Sequence, residues 1–376
     1  MPRFAVWCGR SRGTADPRQS GPASPVPEIR DLTRREFLIG AAGLLLLPAG
    51  CGGGGEQSVR VVSETGRTRT VYNAFGKTEV PKNPERVISL GQEDMLADLL
   101  SIGVRPVASL SNLPDSFPGI EPGKAKGIEP ILTSGEANLE RLVALSPDLI
   151  IGHSFFVERA GYAELSGIAP TVAVAEGDAT SSYIQTLEVF GEGDLARRRA
   201  ERFARRVEAG SRDLGAAGRT VSLATVYSGP SVAAWLDGPT PAPRLILDLG
   251  FRLAPDRDEV EGLLARVLPG VFGLSEGRAY LSDEEIVLLD GGTLILLQSP
   301  LVKGEKRALG EVRSGPLWRS LPAVKSGRVY ELDRLGYPGF PGQERLLEDL
   351  LRLLRDGEPG GGVARDRPQK KGARDE

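Results

Sequence analysis

The chain has 376 residues, 47 Lys and Arg against 50 Asp and Glu, a formal net charge of −3 and 40% hydrophobic residues. That length allows two domains, and the acidic balance argues against a nucleic-acid partner: without residues 1–50, which hold seven Lys and Arg and four Asp and Glu, 40 face 46, a net −6. Two cysteines, Cys8 and Cys51, and one histidine, His153, exclude an iron–sulfur cluster, a zinc finger or a multi-histidine metal site, so no resident metal or cofactor is expected.

Residues 1–32 are rich in Arg, Pro, Ser and Gly. They precede Thr33–Cys51, TRREFLIGAAGLLLLPAGC, in which Arg34 and Arg35 stand before Phe37-Leu38 and a short apolar run ends at a cysteine. That order predicts a twin-arginine export leader. The run is far shorter than the ~20 apolar residues of a bilayer span. Ala49-Gly50-Cys51 resembles a lipoprotein processing site, although Leu47 lies one place early and Pro48 stands where an aliphatic residue is usual. Lipid on Cys51 would hold the protein to the outer face of the cytoplasmic membrane; an ordinary cleaved signal peptide, or an uncleaved anchor, is the other reading. Gly52–Gly55 reads as a flexible tether.

Beyond the tether, Val71–Val80 reads as a hairpin turning at Gly76-Lys77. Arg86–Leu90 is a predicted strand, Glu93–Ile102 a helix, Pro106–Leu110 a strand, Asn138–Leu145 a helix and Leu149–Gly152 a strand. A helical turn at Tyr162–Leu165 and a strand at Thr171–Val174 follow. Asp194–Leu214 spaces its arginines against Glu201 and Glu208 at helix-pair intervals, which predicts one long solvated helix rather than a nucleic-acid face. A second alternation comprises strands at Val221–Tyr227, Leu294–Leu297 and Val329–Leu332 and helices around Arg244–Leu249, Glu285–Leu289 and Arg345–Leu354. The expected fold is α/β: two Rossmann-like, mainly parallel lobes joined by a single long helix, with a ligand cleft between them. The expected order is a leader (1–50), a tether (51–58), an N-terminal lobe (59–190), the helix (191–216), a C-terminal lobe (217–355) and a disordered tail (356–376).

The two halves echo each other. Asn138-Leu-Glu140-Arg-Leu142-Val143-Ala-Leu145 can be laid over Ser282-Asp-Glu284-Glu-Ile286-Val287-Leu-Leu289. Each segment offers an N-cap, a glutamate at the second helical position and an aliphatic set expected to turn inward, and Glu285 can close a capping box with Ser282. Glu140 and Glu284 are then either favourable carboxylates at helix starts or contacts for a partner with paired basic pockets.

Here the chain resembles the solute-binding proteins that deliver ferric siderophores, haem or cobalamin to ABC importers. The pieces that carry the resemblance are Gly76–Leu90, Asn138–Gly152, Ile168–Val172, Ser282–Leu289 and Pro316–Tyr330, in order behind the leader. The resemblance implies capture of an iron chelate, a ferric siderophore first and cobalamin or haem as alternatives. It also implies docking of Glu140 and Glu284 on arginines of a permease dimer that works with an ATPase. A monomer without catalytic activity is expected.

In parallel α/β layers ligands bind beyond the carboxyl ends of strands. Those ends nominate Gln92, His153, Phe155 and Arg159 in the first lobe and Tyr227, Trp235, Arg244 and Tyr337 in the second, with Phe156 and Phe340 among the aromatics gathered there. His153 is alternatively a loop histidine bonded to a backbone carbonyl, and Tyr227 and Trp235 alternatively core; Trp318 is expected in the core. Gly152-His153-Ser154 begins like a nucleophile elbow, but the last glycine is absent and no second histidine could serve as base.

Overall fold

A computed structural model describes residues 58–132, 138–229, 231–238, 240–267 and 277–356. The leader, Cys51 and the tail from 357 onward lie outside the described residues. Among the described residues no helix is long and apolar enough to cross a membrane.

An antiparallel meander opens the chain: β1 (Arg60–Glu64), β2 (Thr68–Asn73) and β3 (Gly76–Pro81). The hairpin turns at Ala74-Phe75, two residues before the expected place. Asn73 sets that turn: its Oδ1 accepts the N–H of Phe75 (3.1 Å), and Gly76 follows with φ 108° to open β3.

The first lobe follows as β4 (Val87–Leu90), α1 (Gln92–Ser101), β5 (Ala108–Ser111), α2 (Pro122–Ala125), β6 (Glu129–Leu132), α3 (Leu139–Ala144), β7 (Leu149–His153), α4 (Ser154–Ala160), α5 (Tyr162–Ile168) and β8 (Thr171–Val174). Its five strands form a parallel sheet in the order β6-β5-β4-β7-β8. Strands β4, β7 and β8 are aliphatic runs because helices cover both faces of the sheet.

Two helices lead out of this lobe, α6 (Ala179–Val189) and α7 (Gly193–Leu214). Helix α7 has 22 residues, about 33 Å at 1.5 Å per residue. Its buried Ala196, Phe203 and Gly210 recur every seventh position, while its arginines pair outward, Arg205 with Glu201 and Arg212 with Glu208. Gly210 marks a close approach: a Cβ there would lie 2.4 Å from Leu351.

The second lobe comprises β9 (Thr220–Val226), β10 (Val232–Trp235), α8 (Pro241–Asp248), β11 (Arg252–Leu253), α9 (Arg257–Val267), β12 (Arg278–Leu281), a 3-10 turn (Glu285–Leu288), β13 (Thr293–Gln298), α10 (Glu305–Ser314), α11 (Pro316–Ser320), α12 (Pro322–Lys325), β14 (Val329–Asp333) and α13 (Gly339–Asp356). Its sheet runs β12-β10-β9-β13-β14, with β11 also paired to β9. Strand β10 is antiparallel to both neighbours; β13 and β14 run parallel to β9.

One hydrophobic cluster joins α6 and α7 to the second lobe. It runs from Tyr183 and Leu187 of α6 through Phe203 of α7 and Ile246 of α8 to Ile295 of β13 and Leu347 of α13. Phe340, placed among the cleft aromatics by sequence, belongs here instead. It is fully buried, stacked on Tyr183 at 4.6 Å and edge-on to Phe203 at 5.4 Å, because α13 starts before its apolar periodicity becomes visible. Carboxylates of the first lobe hold that start: Asp94 Oδ1 accepts the Gly339 N–H (2.7 Å) and Asp98 Oδ1 the Phe340 N–H (2.8 Å). Burial pushes the Asp98 carboxyl well above the usual carboxylate range, with Asp94 adding to the effect and Arg199 opposing it. Trp318 is buried in the second lobe's own cluster, as expected.

Candidate functional site

Segments that follow strands of the two sheets come into contact. The stretch after β5 meets the stretch after β14 so closely that a Cβ on Gly119 would lie 2.5 Å from the Leu335 carbonyl oxygen and 2.4 Å from Pro338. Beside this contact a cavity of about 350 Å³ is lined by Lys124, Arg199 and Arg345 among others.

In the first lobe, Gln92 leaves β4 with φ 55°, a left-handed conformation uncommon outside glycine and frequent at ligand sites. Its Nε2 donates to Asn112 Oδ1 (3.1 Å). Glu93, which is buried, accepts from Ser111 Oγ (2.8 Å), Asn112 N (2.9 Å) and Asn112 Nδ2 (2.7 Å). That carboxylate locks the ends of β4 and β5 together. At the end of β7, His153 stands at the N-cap of α4, and Phe155 and Arg159 are exposed on that helix. Glu176 supplies an acceptor to the helix start, 3.2 Å from Phe155 N and 3.4 Å from Ser154 Oγ.

His153 Nδ1 is buried and has no hydrogen-bond partner among the described residues, so it does not make the loop-carbonyl bond. Burial pushes its pKa down while Glu176 and Asp94 push it up; the downward effect is the larger. Burial thus favours the neutral imidazole over the charged one. No nucleophile–base pair forms either, since Ser154 bonds toward Glu176 and not toward the imidazole.

In the second lobe, Tyr227 sits just past β9. Its hydroxyl accepts from Arg278 Nη1 (2.9 Å), and the Arg334 guanidinium carbon lies 5.7 Å from its ring centroid. Trp235 closes an antiparallel strand, so it lies toward the far end of β10, yet its Nε1 reaches back to Thr225 Oγ1 (2.9 Å) and Arg278 covers its ring at 5.1 Å. Tyr227, Trp235, Arg278 and Arg334 thus form one cation–aromatic cluster. Arg334 is anchored by buried Glu305 (2.7 Å), whose other oxygen accepts the Ser299 N–H (2.9 Å).

The structure does not bring the remaining candidates into this cluster. Arg244 is exposed and turned along its own helix to Asp248 (3.2 Å). The Tyr337 hydroxyl donates to Asp349 Oδ2 of α13 (2.8 Å), and burial pushes its pKa up. Sequence reasoning missed Arg278 because β12 is only four residues long, and it reached Arg334 only as part of the stretch after β14. Among the described residues no group of three or more His, Cys, Asp or Glu could hold a metal ion.

The echoed segments keep their acids outside. Asn138 caps α3 by accepting the Arg141 N–H (2.9 Å), and Glu140 is exposed one residue into the helix. Ser282 and Glu285 close the reciprocal capping box (Ser282 N to Glu285 2.8 Å; Glu285 N to Ser282 Oγ 3.3 Å). The second segment is a single 3-10 turn rather than an α-helix, with Glu284 exposed just before it. Within the aliphatic sets, Leu142 and Ile286 are buried, but Val143 and Val287 face solvent. One turn of helix buries only one side, and the next residue is rotated ~100° away from it.

A family model described as "Periplasmic binding protein" matches residues 121–334. The protein named "Probable siderophore-binding lipoprotein YfiY" of Bacillus subtilis is 29% identical over 306 residues, covering 78% of this chain and 90% of that protein. The iron(3+)-hydroxamate-binding protein FhuD of Bacillus subtilis is 25% identical over 308 residues, covering 80% and 91%. Among solved structures, Staphylococcus aureus SirA complexed with staphyloferrin B superposes with a TM-score of 0.59 at 23% identity, over 76% of this chain and 98% of that one. The siderophore periplasmic binding protein from the fuscachelin gene cluster of Thermobifida fusca gives 0.60 at 22% identity, over 73% and 98%.

Proposed function

The chain belongs to the periplasmic binding protein family, and from that premise we propose that it captures a ferric siderophore between its lobes, outside the cytoplasmic membrane, and hands it to an ABC permease. The observation that carries this reading is the cation–aromatic cluster at the carboxyl end of β9. Tyr227 and Trp235 offer aromatic faces, and Arg278 and Arg334 bring guanidinium groups suited to an anionic chelate. Across the cleft, Phe155 offers an exposed ring and His153 a neutral, unsatisfied nitrogen. The names of the relatives above, several of them iron-chelate binders, support the same choice. The reading needs no catalytic step and no resident cofactor; the metal arrives inside the ligand.

Tryptophan fluorescence tests it. Ferric hydroxamates, ferric citrate, haemin and cobalamin are titrated in parallel, and a ferric chelate is expected to quench most strongly, because Trp235 lies in the cluster while Trp318 is buried elsewhere. Tyr227→Ala is expected to weaken that binding about tenfold, and Tyr227→Phe much less, since the ring remains. Quenching by haemin or cobalamin alone would replace the siderophore reading with that ligand. Unchanged affinity in Tyr227→Ala would move the site away from β9.

Lipid on Cys51, behind the Arg34-Arg35 leader, is the proposed anchor. Cys51→Ala is expected to release the protein into the medium or to leave its leader attached. Processed protein still retained on the membrane would end the lipid-anchor reading.

A further inference from the structure

On the delivery reading above, in which one acid per lobe docks on the permease, we propose that an exposed valine one helical turn after each acid adds an apolar contact, and that the C-terminal lobe adds an apolar socket for a permease side chain. Val143 and Val287 are 55% and 44% exposed. Each stands three residues after an exposed glutamate, Glu140 and Glu284 respectively, and so shares its face. A single exposed valine means little. The same acid–valine pair at matching places on two lobes is a repeated surface.

Asp283 and Ile286, chain neighbours of the second pair, line a cavity of about 370 Å³ together with Glu311, Val312, Pro316, Leu317 and Trp318. Buried Trp318 contributes to its wall, and Leu317 is 36% exposed. Asp283 and Glu284 are exposed and make no hydrogen bond or ion pair among the described residues, so their charge is open to an incoming cation. The fitting occupant is an extracytoplasmic loop of the permease that carries a basic side chain next to an apolar one. A second copy of this chain is disfavoured by charge: a two-fold contact here would set Asp283 and Glu284 against their own equivalents. The apolar contact contributes binding that salt does not screen, and the acids contribute steering that salt does.

The test measures binding of the purified protein to its permease–ATPase complex in nanodiscs, at low and at high salt. Leu317→Ser is expected to weaken binding about tenfold at both salt concentrations, as loss of a packed interface anchor does. Val143→Ser with Val287→Ser, both surface changes, should weaken it in the same salt-independent way. Glu140→Gln with Glu284→Gln should weaken it mainly at low salt. Thermal unfolding and chelate affinity are followed in every variant, and the valine pair decides the matter if Leu317→Ser unfolds. Full binding by the serine variants, with the glutamine pair impaired, overturns the socket and leaves delivery standing. Full binding by all of them removes docking at these acids altogether. A dimer of the unaltered protein that Leu317→Ser dissolves would assign the socket to a second copy and overturn the proposal.

Discussion

Replacing Glu140 and Glu284 together by alanine is expected to abolish uptake of the chelate, to leave its affinity unchanged and to leave the unfolding temperature within experimental scatter. Both side chains are exposed, and neither makes a hydrogen bond or ion pair among the described residues, so each removal leaves no buried partner behind. The caps beneath them come from other atoms. Asn138 holds α3, and Ser282 with Glu285 holds the second turn, so the local structure survives the change. Each acid alone offers a favourable contact with its helix start of ~0.3–1 kcal/mol at most. A docking role predicts a far larger effect on transport, because one acid per lobe fixes orientation as well as attraction. Single variants should be partly impaired, and reversal to arginine should be worse than alanine because it sets like charges face to face. Transport assays in cells together with chelate titrations of the purified variants check this. Normal uptake by the double variant would remove the docking role, and lost chelate affinity would move both acids into the cleft.

Those acids were legible because the echoed segments carry their own caps, and capping is local chemistry. The central parallel strands were legible for a similar reason: VISL, LIIG and TLILL are continuous aliphatic runs that only a doubly covered sheet accommodates, whereas the parallel β6 and β11 carry no such run. Elements whose shape depends on distant partners were not legible. Helix α6 reads as a polar ATSSYIQTLEV, yet its Gln185 Oε1 is buried and accepts from both Val59 N and Ala175 N. Strands β10 and β12 have only four residues each, too few for their periodicity to stand out in the sequence. The outward valines are not legible because an aliphatic i, i+1, i+3 set reads as wholly inward, whereas a single turn has only one inner side. For the candidate site, the strand-end rule leads to Gln92, His153, Phe155 and Tyr227. It does not lead to Arg278, since the strand that carries it does not stand out in the sequence. Arg244 and Tyr337 lie at sensible positions in the chain but spend their polar atoms on neighbours, Asp248 and Asp349, which only the packed structure reveals.

Phe340→Ala is expected to destabilise the protein by about 3–5 kcal/mol, the usual cost of emptying a large aromatic site, and to loosen the lobes relative to each other. Phe340 stacks on Tyr183 of α6 and abuts Phe203 of α7, and its own N–H is held by Asp98 of α1. The side chain therefore sits where α13 is clamped onto the first lobe. Arg199 of α7 reinforces the clamp by donating to Glu344 (3.1 Å) and to the Tyr183 hydroxyl (3.1 Å). With α7 and this clamp in parallel, chelate binding should change the radius of gyration only slightly in the unaltered protein and more in Phe340→Ala, as small-angle scattering would record. A large contraction in the unaltered protein would refute the rigid connection. Asp98 adds a pH signature. Its folded pKa is raised, so its contribution to stability is complete below the ordinary aspartate range and is lost as pH rises through the raised value. Asp98→Asn keeps an acceptor for Phe340 N and carries no charge, so its stability relative to the unaltered protein should improve from pH 5 to pH 8. Denaturant unfolding at the two pH values measures the difference. A deficit in Asp98→Asn of equal size at both would mean that the carboxylate is held ionised by a partner stronger than the Phe340 N–H, and the clamp would then be electrostatic rather than packed.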